Sequence, residues 1–379
     1  MSPRRRITIL ATALAIQLGA QTAPPPSTPM PSAEVRPFLK VEAPVVALVH
    51  ARVVDGTGSP AREDQTLILR NGRIDAMGAA SALVAPREAL VLDLAGHTVL
   101  PGLVGMHNHL FYTHSIHNDD KGGAPAPGRL FAEIAYSAPR LYLACGITTI
   151  RTTGSLEPYT DLNVKRQIDA GLMPGPKMDV TGPYLEGLEP MTPQMYALRS
   201  PEDARRFVDF WADAGVTSFK AYMNIRRADL GAAIQAAHAR GRVRVVPNSP
   251  AEVLLKKEMA FELAFAKAGG LLLAGPDPTG MGGVLPGFGD HRELELLVEA
   301  GFTPVEAIHI ATANGAAFLG RLDRIGTLAP GKQADLVVVK GDPSTKIEDL
   351  ENVVTVFKDG LGYDTAKLIE SVRAHVGIR

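Results

Sequence analysis

Between about residues 100 and 325 the chain alternates, and that alternation constrains its fold more than any other feature. "GITTIRTTG" (146–154), "PKMDVTGPYL" (176–185), "VTSFKAYM" (216–223) and "GGLLLAGPD" (269–277) read as strands. Between them, "PEDARRFVDFWADAG" (201–215) and "RADLGAAIQAAHARG" (227–241) read as helices closing on Gly, and "TPVEAIHIATANGAAFLG" (303–320) opens with a Thr-x-x-Glu capping box. Strands joined through helices pair in parallel, because a parallel neighbour needs a crossover and the crossover helix covers the sheet. Chemically active residues at the carboxyl ends of such strands gather at one rim, as in a TIM-like (β/α) barrel.

The flanks are different. "VVALVHARVVDG", "QTLILRNGRIDAMG" and "ALVLDLAGHTVL" are short β segments, with Asn71-Gly72 marking a tight hairpin. "GKQADLVVVKGDP" (331–343) and "NVVTVFKDG" (352–360) repeat the pattern near the other end. Two β-rich flanks around an α/β middle predict a small composite β-sandwich domain built from both chain ends, 45–100 and 326–379, around a barrel over 101–325. Ahead of them, Arg4, Arg5 and Arg6 precede the apolar run "ITILATALAIQLGA" (7–20), the pattern of a signal peptide over 1–20. That run is short of the roughly 20 residues that span a bilayer, so the mature chain is expected to be free of the membrane. "PRRRITIL" also has a twin-arginine flavour, leaving the export route open between the two pathways. Either route predicts a periplasmic or secreted protein. A Pro-rich linker over 21–44 follows. The formal net charge of −1 argues against nucleic acid as a partner. Cys145 is the only cysteine, which excludes an intrachain disulfide and a Cys-rich zinc module.

"LPGLVGMHNHLF" (100–111) carries two histidines one residue apart on a strand, so His107 and His109 leave the same face. Two imidazoles that close suit zinc, which requires further ligands. Lys220 and Asp277 end two other strands. Each alone is more often structural than catalytic.

Taken together these stretches resemble the amidohydrolase superfamily, especially its imidazolonepropionase and Xaa-Pro dipeptidase-like members. "VLPGLVGMHNH" is similar to the first-strand signature, "VTSFKAYM" to the fourth strand, "AGPDPTG" to the eighth, and "ATANGAAFLGRLDRIGTLAPGKQADLVVVKGDP" to the run into the composite β domain. The resemblance implies His107, His109, Lys220 and Asp277 as metal ligands. It implies one or two divalent ions, zinc foremost, with a carbamate on Lys220 bridging them, and Asp277 as proton shuttle. The implied reaction is hydrolysis of a C–N bond in a small amide, cyclic amide or dipeptide by metal-activated water. Tyr222 shares the face of Lys220 and is a candidate for holding substrate.

The family also supplies histidines from strands five and six, and here the pattern departs. Lys220 and Asp277 stand 57 residues apart, where four βα units would take on the order of 120. His238, the histidine between them, falls inside a helix. "GRVRVV" (241–246) could begin strand five, but Pro247 and Asn248 follow where a histidine would stand, and "EVLLKKEMAFELAFAKAGG" reads as one helix. The expectation is an incomplete barrel, shortened in the strand 5–7 region, whose bare edges a homo-oligomer could cover. A second function class follows: a remnant that binds metal or is inert. Elsewhere, "GMGGVLPGFGD" lacks phosphate-loop spacing and reads as a substrate-facing loop. His309 reads as packing or surface, and Asp290-His291 as a helix cap. Tyr112, His114 and His117 read equally as mouth or solvated loop. There is no Gly-x-Ser-x-Gly elbow, so nucleophilic catalysis is disfavoured.

Overall fold

The computed structural model describes residues 29–114, 130–190, 192–241, 244–247, 255–278 and 284–376. The expected signal peptide, most of the linker, His117 and part of the Gly-rich loop lie outside these. Among the described residues no helix is long and apolar enough to cross a membrane.

The alternating region builds a parallel ladder. β1 (Leu103–Asn108) pairs with β2 (Ile147–Thr152), and β2 with β3 (Lys177–Asp179), all parallel. Single parallel bridges, Thr181 to Ser218 and Leu185 to Ala221, continue it to β4 (Ser218–Ala221). β4 pairs in turn with β5 (Arg244–Pro247), so the end of "GRVRVV" forms a strand. On the other side of β1, Met106 N–H donates to Ala274 O at 2.8 Å and Asp277 N–H to His107 O at 3.0 Å. The apolar stretch 271–277 thus lies beside β1 without becoming a regular strand. Two prolines within "GPDP" remove the donors a full ladder would use.

Helices connect these segments: α1 (Ser137–Ala144), α2 (Pro158–Asp169), α3 (Pro201–Ala214), α4 (Arg227–Ala239) and α5 (Leu255–Lys267). α6 (Phe288–Glu299) follows 271–277. α3 shows why the sequence starts and stops where it does. The Ser200 hydroxyl accepts the Asp203 N–H at 3.1 Å, Pro201 opens the first turn, and Gly215 closes it at φ 110°. The 303–320 stretch begins at its capping box but is not one regular helix. α7 (Pro304–His309) passes through a π-helical turn at Ile310–Asn314 into α8 (Gly315–Phe318). A Cβ at Gly315 would press on Val104 of β1, so the glycine lets this helix approach the ladder.

Both flanks enter one nine-stranded sheet. Its order interleaves them: the strand His97–Pro101 lies between Leu336–Lys340 and Val45–Val53. The expected hairpin joins Arg62–Arg70 to Arg73–Ala79, with Asn71 and Gly72 at φ 48° and 78°. Along 336–339 every residue is buried, but alternately: Leu336 and Val338 pack with Leu48, Leu67 and Phe357, whereas Val337 and Val339 join Ile147, Ile150 and Phe219. One face of the sheet therefore has its own core and the other packs on the ladder. α9 (Thr365–Val372) packs against α1 and ends the description.

Candidate metal centre

β1 carries His107 and His109 to one end of the ladder, and 271–277 brings Asp277 beside them. That approach depends on Gly275, where any Cβ would collide with the His107 backbone. Asp277 takes φ 47°, a left-handed conformation rare for residues with a side chain but tolerated by Asp. Its Oδ1 lies 2.9 Å from His109 Nε2 and 3.5 Å from His107 Nε2. One ligand atom from each of the three residues falls within 4.8 Å of the other two. Lys220 joins from β4, with Nζ 3.3 Å from His107 Nε2. Segments far apart in sequence thus bring these four residues together.

The surroundings hold this geometry. Tyr142 on α1 accepts the His109 N–H at 3.3 Å and donates to His109 O at 2.9 Å. The His109 ring lies against Phe111, tilted by 35° with centroids 4.5 Å apart. Asn108 Nδ2 donates to the buried Asp290 at 3.1 Å, tying β1 to α6. Lys220 is bracketed through its neighbours: Leu185 N–H donates to Lys220 O at 2.9 Å and Tyr222 N–H to Leu185 O at 3.0 Å. Glu186, fully buried, accepts the N–H groups of Gly187 and Asn224 at 2.8 Å each, fastening the turn after β4 to the one before it.

Electrostatics favour a cation between these groups. Burial, reinforced by the neighbouring His109, lowers His107 to about 3. Burial also lowers His109, so both imidazoles are neutral, as metal ligands must be. Burial alone would raise Asp277, but the hydrogen bond from His109 and the nearby His107 and Lys220 hold it below the usual carboxylate range. Burial lowers the Lys220 amine more than Asp277 raises it. Two imidazole nitrogens and a carboxylate oxygen, with Asp277 half exposed, match a three-ligand site with an open position.

Tyr222 sits close by. Its ring lies 4.9 Å from that of Tyr184, and Lys220 Nζ lies 5.4 Å and 5.8 Å from the Tyr184 and Tyr222 rings. Other expectations resolve differently. Tyr112 is a core residue packed with Ile134 and Tyr142, not a mouth residue. His238 is exposed at the end of α4, and His309 bonds to Gly56 O at 2.8 Å. Asp290 caps α6 through the Gly287 N–H at 3.0 Å, whereas His291 is buried against Cys145 O at 2.7 Å. Tyr142, Tyr184 and Glu186 went unread in the sequence, since each lies in an apolar stretch with no distinguishing spacing.

The profile of the amidohydrolase family matches residues 232–361. The imidazolonepropionase of Geobacillus kaustophilus is 24% identical over 354 residues, covering 73% of this chain and 84% of that protein. Both matches point to the amidohydrolase superfamily. Its class is therefore that of hydrolases acting on carbon–nitrogen bonds. Among solved structures, one from Bifidobacterium longum described as a prolidase superposes with a TM-score of 0.69 and 25% identity, covering 87% of this chain and 99% of that one. A Xaa-Pro dipeptidase with methionine bound in its active site gives a TM-score of 0.68 at 20% identity, covering 84% and 100%. This chain shares their mixed α/β architecture.

Proposed function

We propose that this amidohydrolase cleaves the C–N bond of a small amide, cyclic amide or dipeptide with a divalent ion, zinc foremost, held by His107, His109 and Asp277. The observation that carries the reading is the convergence of two neutral imidazoles and an ionised carboxylate from β1 and 271–277. A bound ion would polarise the scissile carbonyl and acidify water. Asp277, half exposed and hydrogen-bonded to His109, takes the water's proton and passes it to the leaving nitrogen. Tyr222 and Tyr184 border the site where the substrate would lie.

Lys220 is assigned a carbamate. As an ammonium, 3.3 Å from His107 Nε2, it would repel a cation. Burial favours its neutral amine, which would add to CO₂ with loss of a proton and give a carboxylate able to help His107, His109 and Asp277 hold the ion. Rate or metal content that rises with bicarbonate checks this assignment; a Lys220→Arg variant should not respond.

We further read the fold as a barrel left open between β5 and 271–277, with the nine-stranded sheet as a composite domain of both chain ends. We read the Arg-rich, apolar N-terminus as an export signal, and the mature chain as periplasmic or secreted. The rival reading is a remnant that holds metal weakly or is inert, favoured by a ligand cluster of three residues among those described. Chelation and zinc reconstitution, assayed on a panel of dipeptides and cyclic amides, separate the two. Turnover lost with chelator and restored by zinc supports the hydrolase; zinc-loaded protein without turnover on any of them supports the remnant.

A further inference from the structure

Two residues before Lys220 on β4, the ladder borders a second cavity of about 740 Å³, a volume typical of small-molecule sites. Arg151, Asp179 and Ser218 form one wall, and Phe318, Arg321 and Arg324 another. Arg151 and Asp179 are only 4% and 5% exposed. Arg151 is fixed in place: its Nε donates to Ser218 Oγ at 3.2 Å, and its Nη1 to Met106 O and Thr153 Oγ1 at 3.3 Å and 3.2 Å. Arg321 Nη2 donates to Asp179 Oδ1 at 2.9 Å. Asp179 Oδ2, equally buried, meets no donor. A buried acceptor left unmet is costly, so this oxygen points to a donor that arrives with a ligand. Arg324 stands exposed at the cavity, 3.8 Å from Asp323. Phe318 and Leu319 add an apolar stretch of lining.

We propose that this cavity binds a small zwitterion of the α-amino-acid class. Its carboxylate meets the guanidinium groups of Arg324 and Arg321, its ammonium meets Asp179 Oδ2, and an apolar side chain lies against Phe318 and Leu319. A plain anion would leave Asp179 Oδ2 unmet and face its charge. A plain amine would face three guanidinium groups against one carboxylate. The inference stands apart from the hydrolytic reading, since no metal-ligand residue lines the cavity.

Calorimetric titration of the zinc-loaded full chain with L-leucine, 4-methylpentanoate and 3-methylbutylamine, at constant ionic strength, tests it. L-leucine should bind at least about tenfold more tightly than either singly charged probe, a difference of about 1.4 kcal/mol. Asp179→Asn keeps an acceptor for Arg321 but loses the charge, and should bring L-leucine down to the level of 4-methylpentanoate. Arg324→Gln, at an exposed position, should weaken both carboxylates while leaving the Tm unchanged. Asp277→Asn, which alters the metal cluster, should leave L-leucine affinity as it was. The proposal is overturned if L-leucine binds no better than 4-methylpentanoate, if Asp179→Asn leaves it unaffected, or if Asp277→Asn abolishes it.

Discussion

Asp277 sits half exposed in a left-handed backbone conformation, one carboxylate oxygen shared between two imidazoles. Removing its charge while keeping its shape should separate chemistry from assembly. Asp277→Asn is expected to lower kcat by at least about a hundredfold, the scale of a lost general base, with zinc content by elemental analysis largely retained. An unchanged rate would remove the proton-transfer role. The His-x-His pair was legible in the sequence because a strand's alternation is strict, and so was the candidacy of Lys220 and Asp277 at strand ends. The buried supports were not. Glu186 satisfies two N–H groups contributed by separate turns, and no local pattern announces a contact made only after the chain has folded.

At the scale of elements, the approach of 271–277 to β1 is decided by the missing side chain at Gly275. Gly275→Ala should displace Asp277 from the imidazoles and abolish stoichiometric zinc binding, read by dialysis and elemental analysis; full occupancy would show that the segment can shift without loss. The same segment lacks a regular ladder, and side chains take up backbone groups that a neighbouring strand would otherwise meet. Glu293 accepts the Gly275 N–H at 2.8 Å, and Asn314 Nδ2 donates to Leu272 O at 2.9 Å. In the nine-stranded sheet, Leu336→Ala should cost about 2–5 kcal/mol in urea denaturation, because its neighbours Leu48, Leu67 and Phe357 are fixed by their own strands. Elements with strong local punctuation were readable: the Asn71-Gly72 hairpin, the Gly215 stop and the Thr303 cap. The π-helical turn at 310–314 was not, since no breaker in "IATAN" marks it.

For the whole molecule, buried acids dominate the pH response, outweighing the buried His107, His109 and His291, whose neutral folded forms oppose them below pH 6.5. Burial raises Glu293 from its ordinary 4.5 to about 8, Asp161 from 3.8 to about 7 and Glu133 from 4.5 to about 10. Between the ordinary and the raised values the folded state holds protons that the unfolded chain has released, so stability falls as pH rises. Carboxylates held low, such as Glu306 at about 2, lose their contribution only as pH drops below about 4.5, outside that window. The Tm should therefore be higher at pH 5 than at pH 8, and Glu293→Gln should flatten the profile; a Tm that climbs across this range would contradict the assignment. The alternation of strands and helices predicted a parallel α/β fold of this family, because crossover geometry is written into the spacing of apolar runs. How the two flanks interleave was less legible, since strand neighbours far apart in sequence leave no mark on either segment.

The strand His97–Pro101 lies between one strand from its own flank and another that is translated more than two hundred residues later. A ribosome delivering this polypeptide releases the first half of the sheet long before its partners exist. Until Leu336–Lys340 emerges, Val99 and Leu100 wait without that neighbour, so the arrival of this late strand governs whether the nascent chain folds or aggregates.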